Sequence, residues 1–308
     1  MTPLRIVFAG SPAAAVPSLR ALLAGPHEVV AVVTREDAPL GRKRVLTPTP
    51  VAQLAEEAGI PVIKANRLAS VEAELLGLQA DLGVVVAYGG LIREPVLSAP
   101  RHGWINLHFS LLPRWRGAAP VQRAIMAGDP ETGTAVFRLV AELDAGPVFA
   151  MESVPIGRVQ TAGHLLESLS ESGAQQLSRV VDDIAAGTAV AVDQVGESTA
   201  APKLTLEDGR IDWADPAVRV DARLRGVTPE PGATTTLDGE RFKVLAAAIA
   251  HGAASLAPGA VVQRGRSILV GTADDPLELI TVQPAGKKPM PAADWWRGRT
   301  AQAETVFA

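Results

Sequence analysis

Within the apolar run of residues 103–109, GWINLHF, two polar side chains stand two positions apart: Asn106 and His108. If 104–109 is a strand, alternate side chains share a face, and the amide and imidazole then lie side by side near its end. A neutral imidazole accepts or relays a proton near pH 7, and an amide donates a hydrogen bond to the oxyanion formed as a carbonyl becomes tetrahedral. The pair therefore suits acyl transfer, although Asn-x-His alone is equally a structural pattern. Residues 111–120, LLPRWRGAAP, add two prolines, two arginines and Gly117, a stiff cationic loop suited to an anion or a close backbone approach. Further on, Asp144 falls in ELDAGPVF, between apolar runs at 135–139 and 147–151. A carboxylate there orients His108 or takes up an amine proton, or merely forms the turn before Gly146.

These residues need a scaffold. Short β-branched runs at 4–9, 29–34, 61–63 and 83–87 alternate with helix-period segments at 17–23, 50–58 and 70–78. That alternation predicts an α/β fold, a doubly wound, mostly parallel sheet with helices on both faces. Such sheets bind ligands beyond the carboxyl ends of their strands, which singles out 9–12, 88–90 and 106–110. Residues 35–50, REDAPLGRKRVLTPTP, contain Gly41, three prolines and the cations Arg35, Arg42, Lys43 and Arg44. They predict an exposed loop, neither strand nor helix, which is either a solvated connector or a phosphate-binding segment. An amphipathic helix over 161–186 closes the first domain, giving boundaries of 1–187, a linker at 188–206 and a second domain at 207–308. In that second domain five short β-type runs, at 232–237, 242–246, 260–263, 267–272 and 277–282, suggest a small OB-like barrel.

Composition narrows the function classes. Of 308 residues, 47% are hydrophobic and 20% charged, which excludes wholesale disorder. No cysteine occurs, which excludes disulfides, thiolate metal sites and a cysteine nucleophile. The five histidines, at 27, 102, 108, 164 and 251, show no metal-ligand spacing. The apolar stretch at the start is broken by Gly10, Ser11 and Pro12, too soon for a secretory signal, and no run is long enough to span a bilayer. A net charge of −4 advertises no global affinity for nucleic acid, so any RNA contact has to come from local patches.

Taken together, VVVAYGG, INLHFSLLPRWRGAAPVQRAI, AGDPETG and LDAGPV, all within 83–155, resemble the methionyl-tRNA formyltransferase family. The resemblance extends to FAGSP at 8–12, GRKRVLTPTPV at 41–51, APKL at 201–204, RIDW at 210–213 and VQPAGKKPM at 282–290, covering nearly the whole chain. It implies transfer of the formyl group of 10-formyltetrahydrofolate, without a metal, to the amino group of methionyl initiator tRNA for translation initiation. It makes Asn106, His108 and Asp144 the catalytic trio. Asn106 and His108 would polarise the formyl carbonyl and hold its oxyanion, and Asp144 would tune His108 and help remove the amine proton. The folate would lie along Val86, Ala87, Tyr88 and Gly89 and along Ser110, Leu111, Leu112 and Pro113, read largely by backbone groups. The tRNA would meet Arg35, Arg42, Lys43 and Arg44 of the basic loop, with Arg42 sensing the acceptor end. Lys203, Arg223, Lys287 and Lys288, with Arg225, would track its backbone from the second domain. A monomeric cytoplasmic enzyme is expected.

Three rivals remain. A formyltransferase acting on a nucleotide-sugar amine would use the same trio without the basic loop or the QPAGKK segment. A nucleotide-dependent oxidoreductase would need spaced glycines that FAGSP lacks. A noncatalytic RNA-binding module would have no reason to keep Asn106, His108 and Asp144 together.

Overall fold

The computed structural model describes residues 2–41, 43–299 and 305–308. The chain forms two compact units. The first comprises residues up to Pro120, Glu131–Pro155 and Leu166–Pro202, and the second comprises Val121–Pro130, Ile156–Leu165 and residues from Lys203 onward.

The first half alternates strand and helix as its periodicity predicts: β1 (Arg5–Gly10), α1 (Val16–Ala24), β2 (Glu28–Thr34), β3 (Ala38–Leu40), β4 (Val45–Thr47), α2 (Pro50–Glu57), β5 (Val62–Lys64), α3 (Glu72–Gly77) and β6 (Leu82–Val86). There follow β7 (Trp104–His108), β8 (Arg116–Gly117), α4 (Pro120–Ala127), β9 (Glu131–Arg138), β10 (Val148–Pro155), α5 (Ala162–Ala186) and β11 (Ala200–Ala201). The main sheet has the order β10-β9-β7-β6-β1-β2-β5. Strands β5 to β7 along this order are parallel, while β9 joins β7, and β10 joins β9, antiparallel. The chain runs outward from β1 through β2 to β5 and returns to β6 on the other side of β1. The crevice at the carboxyl ends of β1 and β6 is therefore where such a fold receives a ligand.

Close packing fixes the register that places the site. Gly83 pairs with Trp104, and a Cβ at 83 would lie 2.0 Å from the indole. Only glycine lets that ring lie flat on β6. The buried indole N–H then donates to the Val96 carbonyl at 2.8 Å, so β7 cannot slide without losing both contacts.

Two expectations need correcting. Residues 35–50 are not irregular: β3 and β4 pair antiparallel, Ala38 with Thr47 and Leu40 with Val45, around a turn containing Gly41. A two-stranded ribbon has only edges, so Pro39 removes a donor that had no partner. Leu40, Val45 and Leu46 remain 67%, 59% and 66% exposed. Nor does the expected linker behave as one, since residues 188–202 belong to the first unit. Val192 bridges Val148, and β11 pairs in parallel with β8.

The second unit adds α6 (Ala217–Gly226), β12 (Ala233–Leu237), β13 (Glu240–Ile249), β14 (Ala260–Arg264), β15 (Ser267–Val270), β16 (Leu277–Pro284), β17 (Met290–Pro291), α7 (Ala292–Arg297) and β18 (Thr305–Val306). Its strands form an antiparallel sheet in the order β12-β13-β16-β15-β14-β18, with β17 on β16. The ladders do not close into a barrel. Trp213, Phe242, Trp295 and Phe307 meet in its core, with Trp213 and Phe307 stacked at 5.6 Å. The tryptophan of RIDW is thus a packing residue, its N–H held by Thr235 Oγ1 at 3.0 Å. Among the described residues, no helix is long and apolar enough to cross a membrane.

Candidate active site

Strand β7 sits where the parallel part of the sheet meets β9: Asn106 faces Val85 on one side and Phe137 on the other, and His108 pairs with Ala135. Beyond its end the chain turns through Ser110, whose hydroxyl donates to the Arg114 carbonyl at 2.6 Å. That bond folds residues 110–114 back and brings residues 115–117 to the end of the strand. The Trp115 carbonyl lies 2.9 Å from His108 Nε2, and the Gly117 N–H donates to Asp144 Oδ2 at 2.8 Å. Asp144 Oδ2 in turn stands 3.9 Å from His108 Nδ1. The imidazole and the carboxylate are both buried, 5% and 7% exposed.

This geometry settles the tautomer. A carbonyl only accepts, so the hydrogen of a neutral His108 is on Nε2 and its lone pair is on Nδ1, facing the carboxylate. At 3.9 Å the two acceptors are beyond hydrogen-bond range. A proton arriving at Nδ1 would meet the carboxylate as its counter-charge. Burial holds the His108 pKa below its ordinary 6.5, while the Asp144 charge and the Trp115 carbonyl oppose that shift without overcoming it. A rate that requires neutral His108 should therefore fall, on its acid limb, only as the pH drops below 6.5. Asp144→Asn removes a raising influence and should move that limb lower still, as a pH profile of kcat/KM will read.

Asn106 Oδ1 is buried and has no partner. A buried polar atom without a partner typically costs about 1–3 kcal/mol, so an unpaired acceptor beside His108 fits a group that meets a donor of its ligand there, leaving Nδ2 as the atom that can donate. Three of the six described non-glycine residues with positive φ lie on the segments that build the site. Ala87, Trp115 and Asp144 all adopt positive φ, at 48°, 63° and 49°. Non-glycine residues hold such angles only where surrounding bonds over-determine them.

The expected folate-contacting residues divide by type. Tyr88, Ser110 and Leu112 are not available as side chains. Tyr88 is buried with its hydroxyl donating to the Ala65 carbonyl at 2.6 Å, Ser110 is buried and bonded as above, and Leu112 packs with Ala135, Phe137 and Val148. Val86 is fully buried, whereas Ala87 and Gly89 are exposed and Leu111 and Pro113 half-exposed. A ligand along this rim would thus be read through backbone groups, as the sequence suggests.

The cations expected to meet tRNA fare unevenly. Arg35 is engaged: its guanidinium donates to the Gly89 carbonyl at 2.5 Å and the Tyr88 carbonyl at 3.5 Å, tying the foot of the hairpin to the rim after β6. Ser11 Oγ accepts from the Arg35 N–H and from Thr34, and Thr34 bonds Thr49 at the hairpin's other foot. Arg42 lies outside the described residues. Lys43 and Arg44 are exposed at the tip, as are Lys203, Lys287 and Lys288 in the second unit. Arg223, half-buried, stands 3.9 Å from Asp215 and lines a cleft of about 660 Å³ with Arg210 and Asp208, while Arg225 is paired with Asp221 at 2.7 Å.

Sequence reasoning missed the groups that hold His108 and Asp144: the Trp115 carbonyl, the Gly117 N–H and Gln194. Gly117 stood out in PRWRGAAP, but nothing in the sequence assigns it the Asp144 carboxylate.

The chain matches the family model described as Formyl transferase over residues 4–181 and that described as Formyl transferase, C-terminal domain, over 203–300. It is 60% identical over 300 residues to a Clavibacter sepedonicus protein named methionyl-tRNA formyltransferase, spanning 97% of this chain and 98% of that one. A Leifsonia xyli protein of the same name is 61% identical over 301 residues, covering 97% and 99%. Among solved structures, an N-formyltransferase from Helicobacter canadensis in complex with folinic acid and dTDP-3-aminofucose superposes with a TM-score of 0.71 at 16% identity, over 91% of this chain and 99% of that one. HypX from Aquifex aeolicus in complex with tetrahydrofolic acid gives 0.62 at 16%, over 96% of this chain and 47% of that one; at such identities both attest the fold alone. With a model match across most of the chain and relatives this similar from end to end, the chain belongs to the formyl transferases, in the family of the methionyl-tRNA formyltransferases.

Proposed function

We infer that the chain transfers the formyl group of 10-formyltetrahydrofolate to the free amino group of methionyl initiator tRNA, producing N-formylmethionyl-tRNA. The observation that carries this reading is 60% identity over 97% of the chain to a methionyl-tRNA formyltransferase. The site's chemistry agrees with it. The amine nitrogen attacks the formyl carbon, a C–N bond forms, and the carbonyl becomes an oxyanion. The bare Nδ1 of His108 takes the proton the amine sheds, and the Asp144 carboxylate steadies the imidazolium. The Asn106 side chain donates to the oxyanion. Collapse breaks the bond from carbon to N10 of the folate, and the proton held by His108 returns to the departing nitrogen. This assigns His108 to proton transfer rather than oxyanion binding, because its only N–H in the neutral state is taken by Trp115.

The co-substrate lies along the rim after β6 and β7, and the acceptor end of the tRNA meets the β3–β4 hairpin through Arg42, Lys43 and Arg44. Lys203, Arg223, Lys287 and Lys288 neutralise phosphates farther along. Residues 1–187, with the 188–202 stretch that pairs with them, form the catalytic domain, and 207–308 an OB-like tRNA-binding domain. In support of barrel-like closure, Thr236 and Ala308 exchange two backbone hydrogen bonds beyond the ladder's two ends, at 3.0 and 3.1 Å. The enzyme acts as a cytoplasmic monomer.

The test is label transfer from 10-formyltetrahydrofolate to purified methionyl initiator tRNA, beside elongator methionyl-tRNA and a nucleotide-sugar amine. Labelling of the initiator alone is expected. Labelling of the sugar alone would retain the trio and overturn the tRNA reading.

A further inference from the structure

Gln194 lies in the stretch that the sequence marked as a linker, yet every polar atom of its side chain is used. Its Nε2 donates to the carbonyl of Asp144 at 2.8 Å and to that of Gly146 at 2.9 Å. Its Oε1 accepts two bonds from Arg116, at 3.2 Å from Nε and 2.8 Å from Nη2. The same guanidinium reaches Glu142 at 3.2 Å. One amide thus joins two segments: the 142–146 turn that presents Asp144, and the 114–117 loop whose backbone touches both His108 and Asp144.

The turn needs such a tie. Asp144 holds a left-handed φ of 49°, sparsely populated even though Asp tolerates it better than most residues, and Gly146 approaches β9 so closely that a Cβ there would lie 1.8 Å from the Arg138 carbonyl. Left alone, the turn would relax toward ordinary angles and swing the carboxylate. The neighbouring backbone keeps Gln194 in place, since Val192 and Val148 exchange hydrogen bonds at 2.8 and 2.9 Å. On the far side, Thr199 Oγ1 accepts from the Trp115 N–H at 2.9 Å and its carbonyl from the Arg116 N–H at 2.8 Å.

We propose that Gln194 is a positioning residue for the formyl transfer: by capping the Asp144 and Gly146 carbonyls and holding Arg116, it locks the Asp144 carboxylate opposite His108 Nδ1. The proposal rests on the reading of Asn106, His108 and Asp144 as the catalytic trio. Gln194 touches no substrate, so its loss should lower kcat and leave KM for both substrates little changed.

Gln194→Ala removes all four bonds. Gln194→Glu keeps the volume and an acceptor for Arg116 but sets an oxygen against two carbonyls. Each is expected to lower kcat by about 10- to 100-fold, the scale of a displacement near 1 Å in a catalytic group. The decisive comparison is a double-mutant cycle with Asp144→Ala, read as residual single-turnover rate, with the melting temperature of each variant recorded. If Gln194 acts through Asp144, Gln194→Ala costs nothing further once the carboxylate is gone. Full kcat in both single variants, or losses that multiply in the double variant, would overturn the proposal while leaving the trio intact. An unimpaired Asp144→Ala enzyme would instead sink the trio, and the proposal with it.

Discussion

His108→Ala is expected to lower kcat by about 10²–10⁴-fold, the usual worth of a positioned acid–base group, while the protein still folds. The size follows from how completely the structure commits this ring. One nitrogen is spent on the Trp115 carbonyl, and the other carries a lone pair toward Asp144. The methyl that replaces the ring leaves the Trp115 carbonyl without its donor and Asp144 without the cation it would steady, so activity falls through two losses at once. His108→Gln separates them: the amide can still donate to Trp115 but accepts no proton at neutral pH, and the rate should stay near that of the alanine variant. Steady-state formylation, with circular dichroism as the folding control, measures both. A His108→Gln enzyme with near-normal kcat would show that the N–H to Trp115 matters and that proton transfer lies elsewhere.

Much of this site can be read from the sequence, because side-chain type and spacing are what a sequence displays. Asn106 and His108 share a face since a strand has period two, and the apolar residues Trp104, Ile105, Leu107 and Phe109 around them are consistent with a strand there. The parallel sheet was legible for the same reason. What could not be read were interactions carried by backbone atoms, which have no residue signature: the Trp115 carbonyl and Gly117 N–H are invisible in PRWRGAAP. The hairpin at 38–47 was hidden by Pro39 and Gly41, which punctuate a chain in most contexts but are tolerated in a ribbon with nothing but edges. Residues 188–202 looked like a linker because the stretch is short, polar and contains Gly, Ala and Thr. They are instead small enough to lie against another backbone, with β11 beside β8 and the Ala201 carbonyl accepting from the Ala118 and Ala119 N–H groups at 2.8 and 3.1 Å. Arg35, singled out in the sequence for its charge, also donates to two carbonyls at the rim after β6, a contact its charge alone does not announce.

Gly117→Ala should be nearly as damaging as loss of Asp144 itself. Gly117 has φ of 129°, a conformation essentially confined to glycine, and a Cβ there would lie 2.7 Å from the Ala201 carbonyl oxygen. Both partners are backbone, in the paired strands β8 and β11, so neither can swing aside as a long side chain would. To admit the methyl group, β8 and β11 must part, and the Gly117 N–H that fixes Asp144 Oδ2 moves with them. The backbone strain alone is of order 1–3 kcal/mol. Separation of the strands adds to it, so a fall of several degrees in melting temperature should accompany a drop in kcat of about 100-fold. Gly187→Ala is the matched control, because Gly187 follows α5 with φ of 73° and has nothing within 4 Å of its would-be Cβ. It carries the strain of a left-handed residue without the collision, and should lower stability by about 1 kcal/mol while leaving kcat intact. A Gly117→Ala enzyme matching Gly187→Ala in both measures would mean that residues 200–201 do not press on the 114–117 loop in solution, and that the Gly117 N–H does not fix Asp144 there.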